Sequence, residues 1–92
     1  MSGSDLAGKR ILVTGAGGGI GRAIVIMALA RGASVLAVDL DGNLLAETDE
    51  LARIGVARPA IVARVADATD IDDVSAAVKK MSRRTLPRWV TW

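Results

Sequence analysis

Ninety-two residues, about half of them hydrophobic, allow one small domain with a modest core. With no cysteine and no histidine, a disulfide framework, a thiolate metal site and ordinary zinc chemistry are all excluded. The net charge of +2 belongs to the tail: residues 1–81 carry nine basic and ten acidic side chains, while residues 82–92 add Arg83, Arg84 and Arg88 without an acid.

The chain starts with Met1-Ser2-Gly3-Ser4-Asp5, which has no basic segment of the signal-peptide kind. Residues 1–8 read as a frayed lead-in. The longest apolar stretch, Ala23 to Ala30, is too short to span a bilayer, so a cytoplasmic protein is expected. Lys9 to Thr14 reads as the first strand, and its uninterrupted apolar centre, Ile11-Leu12-Val13, suits a parallel strand covered on both faces.

Thr14-Gly15-Ala16-Gly17-Gly18-Gly19-Ile20-Gly21 follows, with five glycines in eight residues. Glycine at that density serves a sharp turn whose backbone comes close to something else. Strand, glycine turn, then helix is an arrangement that binds phosphate on the N–H groups and positive dipole end of the helix. The helix is expected over Gly19 to Arg31, with Ile20, Ile24, Met27 and Ala28 on its apolar face, Val25, Ile26 and Leu29 widening that face, and Gly32 as a left-handed stop.

Ser34 to Asp39 reads as the second strand, apolar until a carboxylate ends it, and Asp41-Gly42-Asn43 is turn chemistry. A second helix over about Asn43 to Arg53 places Leu44, Thr48, Leu51 and Ala52 on one side, and Gly55 closes it. Ala60 to Ala66 reads as a third strand, whose Arg64 suits a place towards the sheet edge. After the turn at Asp67-Ala68, Thr69 is the expected N-cap of a third helix carrying Asp70, Asp72 and Asp73 in its first turn and Ile71, Val74, Val78 and Met81 on one face.

Strands alternating with helices of this length indicate a parallel sheet. The expected fold is α/β: a Rossmann-like doubly wound sheet, one βαβαβα half over residues 1–81, with an irregular, basic, tryptophan-bearing tail over residues 82–92. Both aromatic residues of the chain, Trp89 and Trp92, lie in that tail, which breaks with the composition of the body, has no helical period and could form a strand only over Arg88 to Trp92.

Spacing decides which dinucleotide motif the turn belongs to. Gly-x-Gly-x-x-Gly counted from Gly15 fails at Ile20, whereas Gly-x-x-x-Gly-x-Gly fits Gly15, Gly19 and Gly21. Thr14-Gly-x-x-x-Gly-Ile-Gly, with Asp39 placed 18 positions beyond Gly21, resembles the short-chain dehydrogenase/reductase family. The resemblance covers residues 6 to about 81. It implies that Gly15, Gly18, Gly19, Ile20 and Gly21 meet a dinucleotide at the turn, with Asp39 and Leu40 after the second strand. Asp67 and Ala68 would line its adenine slot.

An Asp39 carboxylate would accept from both adenine-ribose hydroxyls and repel a 2′-phosphate. The positions that could supply a cation for that phosphate hold Ala16, Gly17, Gly18 and Leu40, and Arg22 lies past the turn, so NAD is expected over NADP. The resemblance also implies an alcohol/carbonyl oxidoreductase whose catalytic Tyr-x-x-x-Lys pair lies in a later half. No tyrosine occurs here, so no catalytic residue is assigned and the chain alone is expected to be inactive.

The expectation is therefore the NAD-binding segment of such an enzyme, cut short or read out of frame after Met81. A non-enzymatic NAD-binding or scaffold module is the alternative. No metal or membrane partner is expected, nucleic acid has thin support in three tail arginines, and self-association through an exposed sheet edge is expected because the glycine-bearing strand would be central in a complete sheet.

Overall fold

The computed structural model describes residues 5–57, 59–82 and 89–91. Within them, β1 (Arg10–Thr14), β2 (Ser34–Asp39) and β3 (Ile61–Val65) alternate with α1 (Gly19–Ala30), α2 (Gly42–Arg53) and α3 (Ile71–Ser82), and a short β4 (Trp89–Thr91) follows. The sheet is parallel with the order β3-β2-β1-β4. Arg10 of β1 lies opposite Ser34 of β2, and Val35 of β2 lies opposite Ile61 of β3.

The continuous apolar runs of the strands are explained by helices on both faces. Ile11, Val13, Val35 and Ala37 point to one side, where they pack with Val25, Ala28 and Leu29 of α1 and Leu45 and Ala52 of α2. Leu12, Leu36 and Val38 point to the other, with Val74 and Val78 of α3 packed against them. Side chains alternate along each strand, so each face takes every second residue. Val13, Val25, Val35, Leu36 and Val38 are fully buried, and each contributes about 1.5–3 kcal/mol through removal from water.

Two helices bury only part of the face that their sequence pattern suggests. On α1 the buried face is Val25, Ala28 and Leu29, while Ile20 is 81% exposed and Met27 is 43% exposed. The helix leaves the glycine turn with Ile20 pointing away from the sheet. On α2 the buried residues are Leu45, Thr48 and Ala52, and Leu44 and Leu51 face outward. A run with leucines at 44, 45 and 51 fits two faces offset by one residue, and contact with the turn selects between them.

The cap of α3 is Asp70 rather than Thr69. Asp70 Oδ1 accepts from the amides of Asp72 (3.0 Å) and Asp73 (3.4 Å), while Thr69 is drawn to Asp67. The tail contains structure as well. Trp89–Thr91 pairs with Arg10–Leu12, covering that part of the β1 edge that was expected to be open. Residues 83–88 and 92 of the tail lie outside the described residues. Among the described residues no helix is long and apolar enough to cross a membrane.

Candidate functional site

The carboxyl ends of β1, β2 and β3 come together with the start of α1. In an open parallel sheet this is where ligands bind. A cleft of about 220 Å³ lies there, lined by Gly15, Val38, Asp39, Leu40, Ala66, Asp67, Ala68 and Thr69. Five residues expected from the sequence (Gly15, Asp39, Leu40, Asp67 and Ala68) thus share one wall system. Gly18, Gly19, Ile20 and Gly21 are not in the lining of that cleft; they form the turn and first residues of α1 beside it.

Each glycine of the motif has its own steric reason. Gly15 holds a left-handed φ of +64°, a region costly for residues with a Cβ. Gly21 is pressed against the chain: a Cβ there would overlap the Gly15 carbonyl oxygen and lie 2.8 Å from the Gly15 carbonyl carbon. At Gly19 nothing lies within 4 Å of the Cβ position. Space is open there. Gly18 precedes α1 and supplies no side-chain cap to it, whereas α2 is capped by Asp41, whose Oδ1 accepts from the amides of Asn43 and Leu44. An α1 start without a side-chain cap presents its first amides to an incoming anion.

Asp39 is held by backbone. Its Oδ2 accepts from Gly17 N–H at 2.8 Å and its Oδ1 from Asp41 N–H at 2.9 Å. Hydrogen bonds from the amides of Asp41, Gly17 and Leu40 hold its carboxyl below the usual carboxylate range, against a smaller opposing effect of burial. Asp67 Oδ1 accepts from the Thr69 hydroxyl at 2.6 Å and the Thr69 amide at 2.8 Å, and these bonds likewise lower its pKa. Both shifts are downward. Each carboxylate therefore stabilises the fold fully above its unfolded value near 4 and loses that contribution as pH falls through its lower folded value. Thermal melts of the wild type and Asp39→Asn are expected to differ by a constant gap above about pH 4 and to converge below it. A gap unchanged between pH 7 and pH 3 would contradict this.

Val38, Ala66 and Thr69 line the cleft without having been read as site residues from the sequence. Their signal was position alone, since each adjoins a residue that was. Gly17 was also missed as the amide that orients Asp39. Arg22, the cation nearest the turn in sequence, is directed to α2: it donates to Thr48 Oγ1 at 3.0 Å, to the Leu44 carbonyl at 3.2 Å and to Glu47 at 3.3 Å. Among the described residues no group of three or more His, Cys, Asp or Glu is placed to hold a metal ion.

The cradle fits a dinucleotide in its open backbone position at Gly19, its uncapped helix start and its carboxylate at the β2 end. Comparison with known proteins agrees. The family model described as short chain dehydrogenase matches residues 9–89, eight residues further than the sequence pattern alone could be followed. A short chain dehydrogenase/reductase of Colletotrichum higginsianum is 38% identical over 71 residues, which are 77% of this chain and 26% of that protein. A 2,5-dichloro-2,5-cyclohexadiene-1,4-diol dehydrogenase of Sphingobium indicum is 55% identical over 38 residues, 41% of this chain and 15% of that protein. A short chain dehydrogenase/reductase from Burkholderia phymatum, solved in complex with NAD, superposes with a TM-score of 0.75 at 27% identity, covering 88% of this chain and 28% of that one. The chain thus spans about a quarter or less of the curated relatives it matches.

Proposed function

The chain belongs to the short chain dehydrogenase family, and from that premise we propose that it is the NAD-binding segment of an oxidoreductase acting on an alcohol or carbonyl substrate. When bound, the nicotinamide would supply the hydride chemistry. This chain's own residues would hold the cofactor: the turn from Gly15 to Gly21 at the pyrophosphate, Asp39 and Leu40 at the adenine ribose, Asp67 and Ala68 at the adenine. The sequence contains no tyrosine, histidine or cysteine, so the reading assigns proton transfer to none of its residues.

One observation carries the preference for NAD. The Asp39 carboxylate lines the cleft in its charged form, and Arg22 is engaged by α2. A ribose with two free hydroxyls suits that carboxylate, while a 2′-phosphate would meet like charge. Self-association belongs to the same reading, through the edge on the β1 side of the sheet, of which β4 covers Arg10–Leu12.

Calorimetric titration of the 92-residue chain with NAD, NADP and adenosine is the test. NAD is expected to bind at least about tenfold more tightly than NADP, a difference of about 1.4 kcal/mol. Equal affinity for the two would remove the assigned role of Asp39. No heat and no competition with NAD at millimolar concentration would remove the function itself.

A further inference from the structure

Thr48 is a fully buried polar residue on the face of α2 that otherwise packs Leu45 and Ala52 against the sheet. Packing alone does not call for a hydroxyl there. Its Oγ1 donates to the Ala16 carbonyl at 2.9 Å and accepts from Arg22 Nε at 3.0 Å. The Ala16 carbonyl and the Gly17 N–H belong to one peptide unit. That unit is therefore gripped at both ends: Thr48 holds its oxygen, and Asp39 Oδ2 holds its N–H at 2.8 Å.

The neighbouring contacts leave that peptide little freedom. The Ala16 N–H donates to the Val38 carbonyl at 3.0 Å. A Cβ on Gly17 would lie 2.8 Å from Leu44 Cβ, so α2 is seated directly against the turn. Arg22, one residue after Gly21, reaches from α1 across to Thr48, Leu44 and Glu47 and joins the two helices around the same peptide. By contrast, the Cβ position of Gly19 is open. The turn is fixed where it meets protein and clear where a ligand would approach.

We infer that Thr48 and Arg22 are positioning residues for cofactor discrimination, acting through the Ala16–Gly17 peptide to orient the Asp39 carboxylate. The chain of hydrogen bonds runs from the Arg22 guanidinium to the Thr48 hydroxyl, on to the Ala16 carbonyl, across the peptide, and from the Gly17 N–H to Asp39. Linked bonds of this kind strengthen one another. A carboxylate oriented before the ligand arrives loses less freedom on binding, which favours affinity. Rotation of the peptide would withdraw the Gly17 N–H and release the carboxylate from its position in the cleft.

The inference rests on the reading of the turn and Asp39 as a dinucleotide site, and its test separates the two. Thr48→Val keeps the shape and removes the hydroxyl, Thr48→Ser keeps the hydroxyl, and Arg22→Met removes the donor on a half-buried side chain. NAD and NADP affinities are measured on each, with circular dichroism and thermal melting as the check on folding. Thr48→Val is expected to weaken NAD about tenfold and to narrow the NAD-over-NADP ratio, Thr48→Ser to restore both, and Arg22→Met to shift both in the same direction by about threefold. A merely structural role would lower the melting temperature and leave the ratio unchanged; that result, in Thr48→Val or in Arg22→Met if the first variant does not fold, overturns the inference. A wild-type chain that binds neither cofactor overturns the underlying reading instead.

Discussion

Replacing Gly21 with alanine is expected to destabilise the chain by about 2 kcal/mol and to abolish cofactor binding, although alanine is the better helix former by up to about 1 kcal/mol. The sign is decided by what the new methyl group would meet. Its carbon would overlap the Gly15 carbonyl oxygen and lie 2.8 Å from the carbonyl carbon and 3.1 Å from Ala16 Cα. All three atoms are backbone, so no rotamer change relieves the crowding. Either α1 moves away from the turn or the turn opens, and opening is resisted by the bonds from Ala16 N–H to Val38 and from Gly17 N–H to Asp39. For a domain of this size the melting temperature should fall by about 8–16 °C.

Gly19→Ala is the informative control. Nothing lies within 4 Å of that Cβ position, and its φ is not among the positive ones. The substitution should leave the melting temperature unchanged or slightly raised while weakening NAD, because the methyl group would stand where the ligand approaches. If Gly21→Ala melts with the wild type, the close helix–turn contact does not hold the motif together. If Gly19→Ala binds NAD normally, the open space at Gly19 is not the cofactor's.

The contrast between these two glycines shows what could be read in the sequence. Their spacing with Gly15 identified the motif, and the strand before it and helix after it came from hydrophobic runs whose ends agree with β1 and α1 to within about a residue. Asp39 was legible because a carboxylate ends an otherwise apolar strand. Which glycine is pressed against the chain and which stands clear of it was not legible, since that depends on the distance between Gly21 and a carbonyl six residues earlier.

Helix phase was hidden for a related reason. From Ala23 to Ala30 every residue of α1 is apolar, so periodicity offers no unique buried face, and tertiary contact picks Val25, Ala28 and Leu29. Thr48 was assigned to the correct side of α2, but its partner is a carbonyl 32 residues away. Its position predicted burial and not the bond. Thr69 and Asp70 are both good caps, and the choice falls to Asp70 because Asp67 takes the Thr69 hydroxyl and amide. The short β4 lies within Arg88 to Trp92, the one part of the tail that could be read as a strand, and its pairing with Arg10–Leu12 is what the sequence did not show.

Removing the charge of Asp39 should weaken NAD by about ten- to a hundredfold without creating a tight NADP site. Two effects compete in Asp39→Asn. Loss of the carboxylate removes its repulsion of a 2′-phosphate, worth about 1 kcal/mol per pair of unit charges near 4 Å in water. Against that, the carboxylate now accepts from Gly17 N–H through one oxygen and from Asp41 N–H through the other. An amide side chain must turn its NH₂ towards one of these donors, so one bond is lost and two donors face each other. The orientation of the turn should suffer for both cofactors alike.

A favourable NADP site also requires a cation, and Arg22 is held by Thr48, the Leu44 carbonyl and Glu47. Leu40 is the place to introduce one, because it lines the cleft and is 68% exposed. The expected series is therefore specific. Asp39→Ser binds both cofactors weakly, and Asp39→Ser combined with Leu40→Arg recovers NADP but not NAD. Titration of each variant with both cofactors decides it. An Asp39→Asn chain that keeps wild-type NAD affinity would show that the carboxylate is only a brace for the turn and that cofactor choice is made elsewhere.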